Sequence, residues 1–300
     1  SSGIAAAKVL FKAGIDFDCF EKGSKIGGNW LFNNDNGQSS SYQSLHINTS
    51  KQLMAFSDYP MPDDYPDYPH HSLIYQYFEN YIDHFGFRDK IHFSTSVINV
   101  KKIGEHKYIV QTDRFASKEY THVIVANGHH WKPKYPTFEG KFSGTTSHSH
   151  DYKSYLGFED KKVLIVGIGN SAVDIACELS TVSKKVTIST RSGAYIIPKY
   201  LFGKPTDHIS KPPLSYAPLF IQRIALKLAL KLNVGNQSNY GVPIPNRPIL
   251  KEHPTVSQEL LNKVGHGKVK IQPNILKFDQ NIVHFTNDTQ EEFDHIIFST

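Results

Sequence analysis

Apolar positions along the chain follow two periods. Short apolar runs bounded by polar or glycine residues read as strands at 17–20, 123–126, 163–166, 186–191, 269–271, 282–285 and 293–298. Helical patterns lie between them: a small-residue run from Ser1, a segment from Val173 to Leu179, and Pro218 to Asn233 as an amphipathic helix of about four turns. Thr255-Val256-Ser257-Gln258 reads as a capping box that opens a helix from Gln258 to Val264. Strands alternating with helices predict an α/β chain with parallel sheet.

Two internal echoes sharpen this. Residues 119–128 resemble 292–300: each is a polar-aromatic lead-in, an apolar strand and a small-residue turn, so a glycine is expected after Thr300. Residues 2–7 parallel 171–176, and each leads about twenty residues later to a strand end, at Glu21 and at Arg191. That is the spacing of a βαβ dinucleotide unit, present twice. The predicted fold is two Rossmann-like, three-layer domains, residues 1–155 and 156–300, with a helical insert at about 200–250. The chain opens in a helix and closes in an apolar strand. It is therefore read as a fragment, with the first strand and glycine-rich turn of the first domain missing.

Composition narrows the class. Of 300 residues, 39% are hydrophobic and 20% charged, which suits a folded core. The net charge of +5 is mild and no stretch concentrates it, so nucleic acid is not an expected partner. Cys19 and Cys177 exclude a disulfide framework and fit a reducing, cytoplasmic setting. No run of ~18 apolar residues and no secretory signal are found. Sixteen histidines include His70-His71, His129-His130 and His148-x-His150, but none shows a standard zinc spacing, and no metal site is expected.

Chemistry concentrates at Val163-Leu164-Ile165-Val166-Gly167-Ile168-Gly169-Asn170-Ser171-Ala172. Gly167 permits a tight turn, Gly169 lets backbone approach a pyrophosphate, and Ala172 permits close helix–strand packing; Asn170 and Ser171 open the helix whose N–H groups face the anion. A plain strand–helix turn is the competing reading. Arg191, with Ser189, Thr190 and Ser192, stands where an acid would take a ribose hydroxyl, so a 2′-phosphate and NADPH are expected; a solvated surface Arg is the alternative. In the first unit only Gly3 remains of the fingerprint, and Glu21 is the ribose acid. The Gly27-Gly28 pair lets a backbone lie against a ligand, and Trp30 follows. One free ribose and one phosphorylated ribose together point to FAD plus NADPH.

These residues resemble the flavin-containing monooxygenases over nearly the whole chain. Residues 21–30 look like the family's FAD segment, 42–51 like its active-site loop, and 56–66 like the segment that follows. The run 142–152 fits the signature Phe-x-Gly-x-x-x-His-x-x-x-Tyr through Phe142, Gly144, His148 and Tyr152. The related Baeyer–Villiger enzymes usually carry Trp in place of Tyr152. The resemblance implies that NADPH reduces FAD, that oxygen adds to give a flavin hydroperoxide, and that an amine or sulfide small molecule, dimethylaniline-like, is oxygenated. It implies Asn48 as the residue beside the flavin, His148 as an organiser of the linker, and Val97 as a backbone contact to adenine. A ketone-oxygenating enzyme and a non-catalytic NADP(H) sensor are the alternatives, and a homodimer is compatible with all three. In the 218–233 helix, Arg223, Lys227 and Lys231 recur every four residues. A packed helix with a solvated basic stripe is the preferred reading, and a helix on a membrane surface or over a substrate channel the lesser one.

Overall fold

The computed structural model describes residues 1–212 and 214–300. They form two compact units, Ser1–Ile47 with Ala55–Lys132, and Asn48–Met54 with Pro133–Thr300.

The first unit opens with helix α1 (Ser2–Lys12) and strand β1 (Cys19–Phe20). Helix α2 (Lys51–Met54) belongs to the second unit. Helix α3 (His71–Phe85) starts at His70, whose imidazole accepts the Ser72 N–H, and ends at Gly86 in the left-handed region. Its inner face buries Ile74, Tyr77, Phe78, Tyr81 and Ile82. The Tyr77 hydroxyl donates to the Tyr59 carbonyl at 2.5 Å and accepts the Phe56 N–H at 2.8 Å, which clasps the 56–59 turn to the helix. Burial pushes that phenol up to about 12. Strand β2 (Ile91–His92) pairs in parallel with β1, and β3 (Val97–Gly104), β4 (Lys107–Thr112) and β5 (Lys118–Tyr120) form an antiparallel meander. Asp18 joins these pieces. It accepts from Tyr120 at 2.5 Å, Lys118 at 2.7 Å and His92 at 2.9 Å. Partial burial works against its ionisation, yet these three partners hold the carboxyl well below the usual range.

The expected strand at 123–126 is absent. Val123–Ala126 forms no ladder, and Ile124 and Val125 are 60% and 78% exposed. A strand needs a neighbour for its N–H and C=O groups, and none pairs with this run among the described residues.

The second unit has strands β6 (Glu139–Phe142), β7 (Thr145–His148), β8 (Lys162–Val166), helix α4 (Asn170–Leu179) and β9 (Lys185–Ser189). The insert contributes β10 (Ile196–Ile197), β11 (Tyr200–Leu201), β12 (Lys204–Pro205), helix α5 (Leu219–Asn233) and β13 (Thr255–Val256). Helix α6 (Leu260–Gly265), β14 (Val269–Gln272), β15 (Ile275–Gln280), β16 (Ile282–Phe285), β17 (Gln290–Glu292) and β18 (His295–Phe298) complete it. The main sheet has the order β14-β9-β8-β18-β7, all parallel. A four-stranded sheet, β17-β16-β15-β6, lies against it, and Leu164, Val166, Ile296 and Phe298 pack on Ile275, Val283, Phe285 and Phe293. Helices α4 and α6 contact β8, β9 and β14. The unit is thus three-layered, and its central parallel strands β8, β9 and β18 are buried over most of their length because both their faces are covered, whereas the edge strand β7 is polar and partly exposed.

Two boundaries differ from expectation. The second unit begins at Pro133, not near 156, because β6 pairs with β15 and β7 with β18. The helix expected from Gln258 begins at Leu260. Its N-terminal N–H groups are capped by Ser257, whose Oγ accepts from Glu259 at 3.3 Å and Leu260 at 3.1 Å, while Thr255 lies in a strand.

Helix α5 matches its predicted span, yet the expected solvated basic stripe is only part of its surface. Phe220, Ile224, Leu228 and Leu232, each four residues apart, make an exposed apolar row, while Leu226 turns inward and Arg223 donates to the Ile249 carbonyl at 3.0 Å.

Candidate functional site

The turn between β8 and α4 is built around a carbonyl. Gly167 adopts φ +124°, and a Cβ there would lie 2.2 Å from the Ser299 oxygen at the end of β18. Only glycine satisfies both conditions. Gly169 precedes α4, is exposed, and a Cβ on it would meet nothing within 4 Å. The backbone is therefore bare on the side where an anion would approach the α4 N–H groups. Ala172 is fully buried, and Ser171 is exposed. Asn170 serves the frame of the turn instead of facing outward. Its Oδ1 accepts the Val256 N–H at 2.7 Å, and Thr255 Oγ1 donates to the Ile168 carbonyl at 2.6 Å. Strand β13 thus braces the turn. Sequence pattern alone puts Thr255 in a helix cap, so this brace is visible only in the fold.

At the end of β9 the expected set separates. Arg191 and Ser192 are exposed. Ser189 is buried and its hydroxyl donates to the Pro273 carbonyl at 2.7 Å, while Thr190 accepts the Gly193 N–H at 3.1 Å. Ser189 Oγ is thus spent on the protein's own backbone inside the core, and it does not join Arg191 on a ligand.

In the first unit Glu21 follows β1, and its Oε1 accepts the Gly23 N–H at 2.8 Å. A carboxylate has further lone pairs for a ligand hydroxyl. Gly27 (φ +115°) turns the chain, and a Cβ on it would lie 2.9 Å from the Tyr75 ring; Gly28 has open space around it. The half-buried Trp30 closes this turn through its N–H to the Gly27 carbonyl at 2.9 Å. Asn29 fixes the following loop: its side-chain oxygen accepts from the Ser40 N–H and hydroxyl at 2.8 and 2.7 Å. Gly3 lies inside α1, with only an ordinary 3.7 Å contact to Ala126 for an added Cβ. Val97 is exposed at the start of β3.

Asn48 falls in the second unit, and its Oδ1 is buried with no protein partner among the described residues. The signature residues have separate structural duties. Phe142 ends β6 and packs on the core, and a Cβ at Gly144 would lie 2.6 Å from the Asp294 carbonyl. His148 is buried, accepts the His150 N–H at 3.0 Å, and is pushed down from its ordinary pKa by that burial. Tyr152 is buried and donates to Glu178 of α4 at 2.6 Å, tying the signature to the helix of the glycine turn. Burial, then Glu178, raises that phenol far above its ordinary value. Cys177 is buried, and that burial pushes its thiol up to about 12. Among the described residues no group of three or more His, Cys, Asp or Glu is placed to hold a metal.

A parallel sheet with a bare glycine turn and an exposed arginine at the next strand end is the arrangement of a Rossmann-type, dinucleotide-binding fold. Residues 1–300 match the model of the flavin-binding monooxygenase-like family, and the chain belongs to that family. It is 36% identical to flavin-containing monooxygenase 5 of Cavia porcellus and 34% identical to dimethylaniline monooxygenase [N-oxide-forming] 2 of Oryctolagus cuniculus. All of this chain is covered in both alignments, against 60% and 59% of those proteins. The chain therefore spans about 60% of the length of such relatives. Its fold is shared with S-allyl-L-cysteine S-oxygenase from Allium sativum, with TM-score 0.68, 21% identity, and coverage of 99% of this chain and 59% of that one.

Proposed function

We propose that the chain is the nucleotide-binding part of an NADPH- and O2-dependent flavin monooxygenase that oxygenates a soft nitrogen or sulfur centre in a small molecule. The observation that carries this reading is the bare turn Gly167–Gly169 beside exposed Arg191, with no acid at that strand end. The N–H groups opening α4 would hold the NADPH pyrophosphate, and Arg191 with Ser192 its 2′-phosphate. Gly27, Gly28 and Glu21 would hold FAD, with Glu21 on the ribose. Bound together, these cofactors supply hydride transfer and oxygen activation. The chain's own residues bind, orient and keep water out. Asn48 supports the assignment because its carbonyl oxygen is buried yet unclaimed by any described residue, as a group reserved for a bound partner would be. Its amide donates and accepts without changing charge, so it orients a ring without moving a proton. The relatives named for N-oxide formation and for S-oxygenation support both nucleophile classes. Tyr152 in place of Trp disfavours the ketone-oxygenating alternative. The two unpaired cysteines suit a cytoplasmic setting, and no described helix is long and apolar enough to cross a membrane.

The test is a product assay on the flavin-loaded holoenzyme with NADPH, using a tertiary amine, a dialkyl sulfide and a cyclic ketone. N-oxide or sulfoxide formation coupled to NADPH consumption is expected. Ester formed from the ketone alone would move the protein to the alternative branch. NADPH binding with no bound flavin would make it a sensor.

A further inference from the structure

The insert reaches back to the segment that bears Asn48. The Ser50 N–H donates to Asp207 Oδ2 at 2.6 Å, across 157 residues of sequence. Ser50 is fully buried, and its carbonyl accepts from Leu53 at 3.0 Å and Met54 at 2.9 Å, starting α2. Asp207 is itself held firmly. Its neighbour Thr206 donates through Oγ1 to the Pro198 carbonyl at 2.6 Å and through its N–H to the Lys199 carbonyl at 2.9 Å. On the residues of this link and beside them in sequence, buried polar atoms with no protein partner among the described residues include Asn48 Oδ1, Ser50 Oγ and His208 Nε2.

The physical consequence follows from Asn48. Among the described residues no protein group holds its carbonyl oxygen, so the backbone aims it. That backbone is fixed two residues later by a hydrogen bond to a carboxylate, a stronger bond than one to a neutral acceptor. Displacing a positioned group by about 1 Å costs on the order of a hundredfold in rate.

We propose that Asp207 is a positioning residue for Asn48: the insert, through Asp207, sets where the Asn48 amide stands and leaves the polar atoms of Asn48, Ser50 and His208 for a bound group. This rests on the monooxygenase reading for what Asn48 does, but not for how the segment is held. By sequence the insert stands apart from the nucleotide chemistry; Asp207 makes it part of the site's frame.

The experiment uses flavin-loaded holoenzyme and reads two quantities. Hydrogen–deuterium exchange reports the backbone of 48–54, and the ratio of product to NADPH consumed reports coupling. Asp207→Ala should speed amide exchange in 48–54 by about tenfold or more and lower the coupling ratio. Asp207→Asn keeps an acceptor oxygen and should restore most of both. Adding Asp207→Ala to Asn48→Ala should reduce coupling no further than Asn48→Ala alone, since one acts through the other. Wild-type exchange in Asp207→Ala, or losses that add in the double variant, would overturn the proposal. If Asp207→Ala does not fold, Asp207→Asn and Asp207→Ser replace it. Exchange must then rise in the order wild type, Asn, Ser, and any other order overturns the proposal. Because exchange is read without turnover, faster exchange in a protein that oxygenates nothing would sink the functional reading and leave the role of Asp207 standing.

Discussion

The same kind of sequence unit occurs twice in this chain, and its last apolar run is paired in one unit and unpaired among the described residues of the other. In the second unit Ile296–Phe298 lies between β7 and β8 and is buried, with Ile296 and Ile297 at 0% exposure. In the first unit the matching run, 123–126, has no paired strand among the described residues and is largely exposed. The residues are similarly apolar, so composition does not explain the difference. The ladder partner does. An extended segment is stable when its backbone groups are paired, and the β18 register supplies partners on both edges. The matching helix starts differ too: Ala172 is fully buried, whereas at Gly3, which parallels it, an added Cβ would make only an ordinary 3.7 Å contact to Ala126.

Two substitutions should separate the units most sharply. Gly167→Ala drives a Cβ into the Ser299 carbonyl at a positive φ, so we expect a loss of ~2–4 kcal/mol and of NADPH binding. Gly3→Ala should instead be neutral or stabilise α1 by up to about 1 kcal/mol. Thermal denaturation of both variants checks this, and equal losses would end the contrast.

Protonation should come next. His295 sits in β18, hydrogen-bonded to Thr145 Oγ1 at 2.6 Å and Ser147 Oγ at 2.8 Å; burial, aided by the Lys161 charge, holds it down to about 4. Its folded pKa is below its unfolded value near 6.5. The stability it contributes is therefore complete above ~6.5 and lost as pH falls toward 4, a change of roughly 2–4 kcal/mol in the second unit. Melting temperatures across that window should fall steeply for the wild type and less for His295→Gln. Parallel curves would remove His295 as the cause.

Arg191→Ala should weaken NADPH about tenfold to a hundredfold and leave NADH nearly unchanged. Equal effects on both, measured by steady-state KM, would remove the 2′-phosphate assignment.

The smallest expected effect concerns α5. Its apolar row faces outward, and no Asp or Glu occurs from His208 to Lys251. Weak, salt-sensitive co-sedimentation with anionic vesicles is expected if that row meets a bilayer. No sedimentation at low salt would leave α5 as a solvated helix.

Much of the second unit was legible in the sequence. Apolar runs and helical spacing predicted β8, α4, β9, α5, β14 and β16 close to their observed spans, because each is long enough for local pattern to show. The glycine turn was legible because its backbone demand is local to Gly167 and Gly169. Other features depend on residues far apart in the chain. Ser189 turns from the ligand side to Pro273 because β9 lies beside β14, and Asn170 and Thr255 brace the glycine turn from the two ends of an 85-residue gap (255 − 170 = 85). Asp207 holds Ser50 across 157 residues. Local pattern determines which segments become strands or helices, since steric and hydrophobic periodicity act within a few residues. Which side chain meets which hydrogen-bond partner, and whether an apolar run finds a strand to pair with, is decided only when the chain has closed on itself.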